Sequence, residues 1–242
     1  MYYNSNSKNG GGVAVAGFLI AIGLCLLGFM IKLGVNDFVS DQRIVTVKGL
    51  SEREVNADKV IWPLVCKLVG NDVYSIHYQL NAKKKAIIDF LMLNGIDSTE
   101  ISESASEIID MQAERYYSQP YSYRYNVTSV VTVSSDKVDL IRRLMVEQSD
   151  LLKEGVAITG GDYRYNTQFL FTGLNDIKPA MIEAATENAR QTAEKFALDS
   201  KSKVGKIKRA SQGQFSISDR DDNTPHIKIV RVVTTIDYFL KD

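Results

Sequence analysis

The residues able to do chemistry in this chain are few and scattered. Its two histidines are His77 and His226, and neither has a second histidine or cysteine at metal-ligand spacing. Hydrolysis through a serine or a metal-bound water needs a base held within reach of its partners. His77 therefore reads as a surface residue beside a helical stripe, and His226 as a residue with no ligand partner in sequence. Of the two cysteines, Cys25 lies in a long apolar run. Cys66 alternates with Val60, Trp62, Leu64 and Leu68, which predicts a buried, poorly ionised thiol. Asp219, Asp221, Asp222 and Asn223 could turn oxygens toward a calcium ion, yet the stretch lacks the glycine and terminal glutamate of an EF-hand loop, so a solvated turn is expected. Gly160-Gly161 is too short to cradle phosphate. The expectation is no catalytic set, no cofactor and no metal site.

One cluster remains, and it is aromatic. Tyr116, Tyr117, Tyr121, Tyr123 and Tyr125 crowd together with Arg115 and Arg124. Such interleaving suits stacking on nucleic-acid bases, cross-strand pairing, or a protein interface. Charge decides against the first. The chain carries 29 basic and 29 acidic residues. Lys8, Lys32, Asp37 and Asp41 are the only ones before Gln42, so 27 of each sign remain beyond it. A neutral domain has no field to hold a polyanion. These five tyrosines are taken as a candidate interface, with a second copy of the chain as the expected partner.

The elements that must position these residues begin with residues 10–31, GGGVAVAGFLIAIGLCLLGFMI, which carry no charge. As a helix they extend about 33 Å, close to the thickness of a bilayer core. A transmembrane helix over 10–32 is predicted, preceded by a polar tail (1–9) and followed by a tether (33–41). No small-x-small cleavage site follows the run, so an uncleaved anchor is expected. Lys8 in front against Lys32, Arg43 and Lys48 behind would, by charge alone, put the following domain in the cytoplasm.

Residues 42–242 alternate strand and helix patterns. Strands are predicted at 44–49 and 60–69, the second with Pro63 marking an edge or a bulge. A helix over 73–94 follows, capped by Asn71-Asp72, with an apolar stripe of Val73, Ile76, Leu80, Ile87 and Leu91. A long hairpin is expected from 101–114 and 121–134, its turn near residues 117–120. Asp136 should cap a helix to Gln148, and a strand interrupted by the two glycines should occupy 156–172. A long helix from Asn175 to Lys203 has Met181, Ala184, Ala185, Ala189, Ala193 and Phe196 as its packing face. Lys201, Lys203, Lys206, Lys208 and Arg209 are expected to complement its C-terminus and line the outer face of the next strand. Strands at 206–217 and 227–240 close the chain. The order β-β-α-β-β-α-β-α-β-β argues for an α+β fold, mostly antiparallel sheet with helices on one face.

The motifs form an ordered set: VTVKGLSEREVNADKV, LNGIDSTEI, YNVTSVVTVSSDKVDLIRRLM, GVAITGGDYRYNTQF, then the alanine-rich PAMIEAATENARQTAEKFALDSKSKVGKIKRASQG and finally VRVVTTIDYFL. In this order they resemble the SIMPL-domain (DUF541) family of bacterial envelope proteins. Two positions depart from the family pattern: Ala57-Asp58 stands where proline-aspartate is usual, and Ser200 where a glycine is. The resemblance implies an α+β fold, an inner-membrane anchor with a periplasmic domain, self-assembly and an association with stress tolerance. The expected function is that of a non-enzymatic, single-span envelope protein that self-assembles or binds partners. The alternative is a module binding a small molecule or peptide in a groove beside the long hairpin.

Overall fold

The structure, a computed structural model, describes residues 10–40, 43–113, 122–160 and 163–241. It is α+β, with mostly antiparallel strands in two sheets. Helix α1 runs Gly10–Ser40, so its backbone continues through the stretch read as a tether. It contains Ala14–Lys32, 19 residues of mean hydropathy 2.6, long and apolar enough to cross a membrane. The chain divides into two compact units, one of Met1–Ser51, Ala180–Gln214 and Val232–Asp242, the other of Glu52–Pro179 and Phe215–Arg231.

In the first unit, strands β1 (Ile44–Asn56), β9 (Ile227–Lys241) and β7 (Lys203–Gln212) are neighbours in that order. Helix α4 (Leu174–Asp199) packs here through Ala185, Ala189, Ala193 and Ala197, all buried. The buried spacing is strictly four, which leaves Ala184 and Phe196, both predicted on the packing face, exposed to solvent. Alanine matters because the approach is close. A Cβ added to Gly49 of β1 would lie 1.8 Å from the Ala185 carbonyl oxygen and 2.6 Å from the Ala189 nitrogen. The predicted strand over 206–217 is two strands, β7 and β8 (Ser216–Asp219), both antiparallel to β9. They part at Gly213, whose N–H donates to Val233 O at 2.8 Å.

The second unit is built on β2 (Lys59–Gly70), paired along its whole length with β5 (Tyr125–Ser135). Val60, Trp62, Leu64 and Cys66 of β2 face the same core as Val127, Val131 and Val133 of β5. Helix α2 (Val73–Leu93) lays Ile76, Leu80, Ile87 and Leu91 on that face. Asp72 caps it, accepting from the N–H groups of Tyr74 and Ser75, and Gly95 at φ 89° ends it. Helix α3 (Val138–Glu147) adds Ile141 and Leu144. Its N-cap is Lys137 rather than Asp136, with no side-chain cap bond. Ser135 takes the local role instead, its Oγ accepting from Lys137 N at 3.0 Å.

Pro63 sits where the sheet can tolerate it. Strand β6 (Gln168–Leu170) pairs with β2 only at Lys59, Val60 and Ile61, and β2 next meets that side of the sheet at the Cys66–Ile158 bridge. Thr159 N–H donates to Val65 O, so the odd-numbered residues of β2 turn their backbone groups toward this side. The missing N–H of Pro63 therefore faces the gap between the two partners. The same gap explains why the predicted strand over 156–172 shrinks to an isolated bridge and a three-residue β6.

The predicted hairpin is also cut. Its first arm is two short strands, β3 (Ile101–Glu103) and β4 (Glu107–Asp110), and its second arm, β5, starts at Tyr125. Ile101 pairs with Val133 but Glu107 with Thr128, so the first arm holds one residue more than the second across this stretch. That is a β-bulge at residues 104–106.

A candidate binding groove between α2 and the sheet edge

The first two residues of α2 stand off the core, which the helix first meets at Ile76. Val73, read from sequence as part of the buried stripe, is 38% exposed, and Tyr74 beside it is 87% exposed. Below them the sheet ends at β4, whose Ile108 shares the core-side face with its partner Val127 yet is 54% exposed. Helix and edge strand thus leave a groove of about 210 Å³. Its walls are Val73, Tyr74, Ile76 and Leu80 from α2, Ile108 from β4 and Val127 from β5, with His77 and Ser106 as its polar members.

The groove is held by identifiable bonds. Arg124 donates to both oxygens of Asp110 and its backbone N–H donates to Asn71 Oδ1 at 2.8 Å, tying the end of β4 to the start of α2. The Arg124 hydrogen bonds hold the Asp110 carboxyl below its usual range. His77 is an exposed residue whose Nε2 lies 2.9 Å from Asn81 Nδ2. With the amide nitrogen donating, Nε2 is the acceptor in this contact.

A family model described as a protein of unknown function (DUF541), SIMPL, matches residues 45–228. The chain belongs to the SIMPL family. No curated relative matches it. The SIMPL region takes in β2, α2, β4 and β5 whole, and with them the groove, whereas α1 lies outside it.

Of the five tyrosines nominated in this SIMPL domain, Tyr116, Tyr117 and Tyr121 lie outside the described residues. Tyr123 precedes β5 and is 51% exposed. Tyr125 is half-buried opposite Asp110, with the Arg124 guanidinium 5.0 Å from its ring centre. Cys66 is buried, and burial pushes its thiol pKa up, opposed weakly by Lys83. His226 stands edge-on to Phe169 with centroids 6.1 Å apart, and burial lowers its pKa, aided by Arg142 and Arg220. The Asp221 carboxylate is committed locally: it accepts from Thr224, from Arg220 and from the Asn223 N–H, which brings its pKa to about 2. Sequence reasoning missed Val73, Tyr74, Ser106 and Ile108. The one available signal was Tyr74 and Tyr78, two aromatics a turn apart on the face opposite the stripe.

A second concavity, in the first unit, is lined by Lys48, Leu50, Asn188, Gln191, Thr192, Lys195 and Phe196. Asn188 spans it by donating to Leu50 O at 2.7 Å. Five of its seven lining residues are polar or charged, and their hydrated head groups suit solvent better than an apolar occupant.

Proposed function

We propose that this SIMPL protein is a non-enzymatic envelope protein, anchored by α1 and working through association of its folded domain with a polypeptide partner at the α2–β4 groove. The observation that carries the reading is an apolar groove opening onto a sheet edge. Apolar side chains left exposed beside unpaired backbone are the raw material of an interface. The non-enzymatic part is supported by how the candidate catalytic side chains are spent: His77 bonds Asn81, Cys66 is sealed in the core, and Asp221 holds its own turn. Anchoring is supported by the apolar window in α1. The family resemblance is what supports the bacterial inner membrane as its place, with the domain in the periplasm, and a link to stress tolerance.

The groove also admits a second reading, capture of a small apolar ligand against His77 and Ser106. Its size disfavours this, since sites for drug-sized ligands run to about 300–1,000 Å³. Light scattering and native mass spectrometry of the full chain in mild detergent separate the two. Association predicts a protein oligomer or complex with no retained small molecule. A monomer that carries a small apolar ligand would support the second reading instead.

A further inference from the structure

The phase of β4 fixes what its free edge offers. Met111 N–H donates to Arg124 O at 2.7 Å, so Met111, Ile109 and Glu107 turn their backbone groups toward β5. Ile108 and Asp110 turn theirs away: the Ile108 N–H and C=O have no partner among the described residues, whereas Asp110 O accepts from Ala113 N–H at 3.0 Å and keeps one lone pair for a further donor. The bulge at 104–106 interrupts this edge before β4, but β4 itself (Glu-Ile-Ile-Asp) holds no lysine or proline of the kind that guards edges. Its two acids do not guard it either. Glu107 is paired with Arg164 at 3.6 Å and Asp110 with Arg124 at 2.8 Å.

Resting on the association reading, we infer that β4 pairs antiparallel with β4 of a second copy, with Ile108 opposite Ile108 and each isoleucine closing the other copy's groove. The register follows by elimination. Outward-facing residues must meet outward-facing residues, which leaves three central pairings. Asp110 opposite Asp110 sets like charges together, which destabilises a ladder. Ile108 opposite Asp110 places a carboxylate at the mouth of an apolar groove, where it loses solvation. Ile108 opposite Ile108 sets Glu107 against Ile109 and Asp110 against Ser106, so no like charges meet. The groove's size agrees. A cavity of about 150 Å³ accepts benzene, so about 210 Å³ accommodates one branched aliphatic side chain with its neighbours.

The test uses the full chain in mild detergent with Cys25→Ser as background, leaving buried Cys66 as the one native thiol. Across a hydrogen-bonded antiparallel pair the Cα atoms lie about 5.5 Å apart, within disulfide range. Ile108→Cys is therefore expected to give a reducible covalent dimer on mild oxidation. In this register two Ile109 residues lie about 8 Å apart, beyond that range, so Ile109→Cys should not. Ile108→Lys opposes two charges across the two-fold and should halve the mass measured by light scattering. Its far-ultraviolet circular dichroism should be unchanged, because the side chain is already exposed. Cross-linking through Ile109→Cys in place of Ile108→Cys overturns the register. An oligomer untouched by Ile108→Lys overturns the β4 interface while leaving association standing. A wild-type monomer at micromolar concentration overturns both.

Discussion

Cys66 and Ser129 face each other across β2 and β5, both about as buried as side chains become. The Ser129 hydroxyl has no hydrogen-bond partner among the described residues, and it sits opposite the bulge in the neighbouring arm. A thiol in such a place is short of water, and burial outweighs the pull of the Lys83 charge, so the thiolate that attacks disulfide reagents is scarce. Native protein is expected to leave Cys66 unmodified by a thiol reagent at neutral pH over the time that denatured protein reacts fully. Rapid native labelling would reopen a redox role. Glu100 shows the opposite electrostatics. Burial raises its pKa, but the Ser135 hydroxyl at 2.6 Å, the Asp97 N–H and the Lys137 ammonium outweigh this and bring it to about 2. Lys137 also donates to Gly95 O and Asp97, so one ion group ties the exit of α2 to the entry of α3. A carboxyl whose folded pKa is depressed adds stability that is complete above its unfolded value, about 4.3. It is lost as pH falls from there toward 2. Glu100→Gln should cost about 1–3 kcal/mol at pH 7 and flatten the acid side of the melting-temperature profile between pH 4.5 and 2. A profile unchanged in shape would remove Glu100 from the account of acid unfolding.

At the scale of elements, the approach of α4 to β1 hangs on Gly49. An added methyl cannot be relieved by a rotamer change, because it meets the backbone of Ala185 and Ala189 and the Ala189 Cβ, none of which a side-chain rotation can move. Gly49→Ala is expected to cost more than about 3 kcal/mol, the upper range for overpacking, read as a drop in urea midpoint. Gly155 offers the contrast: it has open space but φ 74°, so Gly155→Ala should cost only about 1 kcal/mol of backbone strain. Equal losses would mean that α4 shifts to relieve the clash. The sequence made α2, β2 and α4 legible because each carries its own period: alternation from Val60 to Leu68, and spacings of four and seven from Ile76 to Leu91. What it hid depends on partners. Whether Val156 to Thr172 pairs is decided by Pro63 on another strand, and the bulge at 104–106 by the register against β5. The groove was illegible for the same reason. Val73 obeys the helical stripe, and only the position where the sheet ends leaves it, with Ile108, uncovered.

For the whole molecule the decisive quantity is the apolar surface of α1. Phe18, Leu19, Leu24, Leu26, Phe29 and Met30 are each at least 60% exposed, more than water tolerates on one helix. Nine leucines, isoleucines and phenylalanines lie between Ala14 and Lys32. At about 0.3–0.6 kcal/mol each on an insertion scale they favour the bilayer by roughly 3–5 kcal/mol. A lysine near the helix centre costs about 2.5–3.5 kcal/mol and also removes one favourable residue. One such change leaves insertion near balance, and two reverse its sign. The full chain is therefore expected to pellet with membranes through a carbonate wash, Leu24→Lys to remain mostly in the pellet, and Ile22→Lys with Leu24→Lys to move to the supernatant. Intact mass should still begin before Gly10 in all three, since the run ends in Phe29-Met30-Ile31 without the small residues that a signal peptidase requires. Release of the unaltered chain by carbonate, or a mature start beyond Met30, would make α1 a removable leader. Copies of the groove would then meet by diffusion in three dimensions rather than in the plane of a membrane.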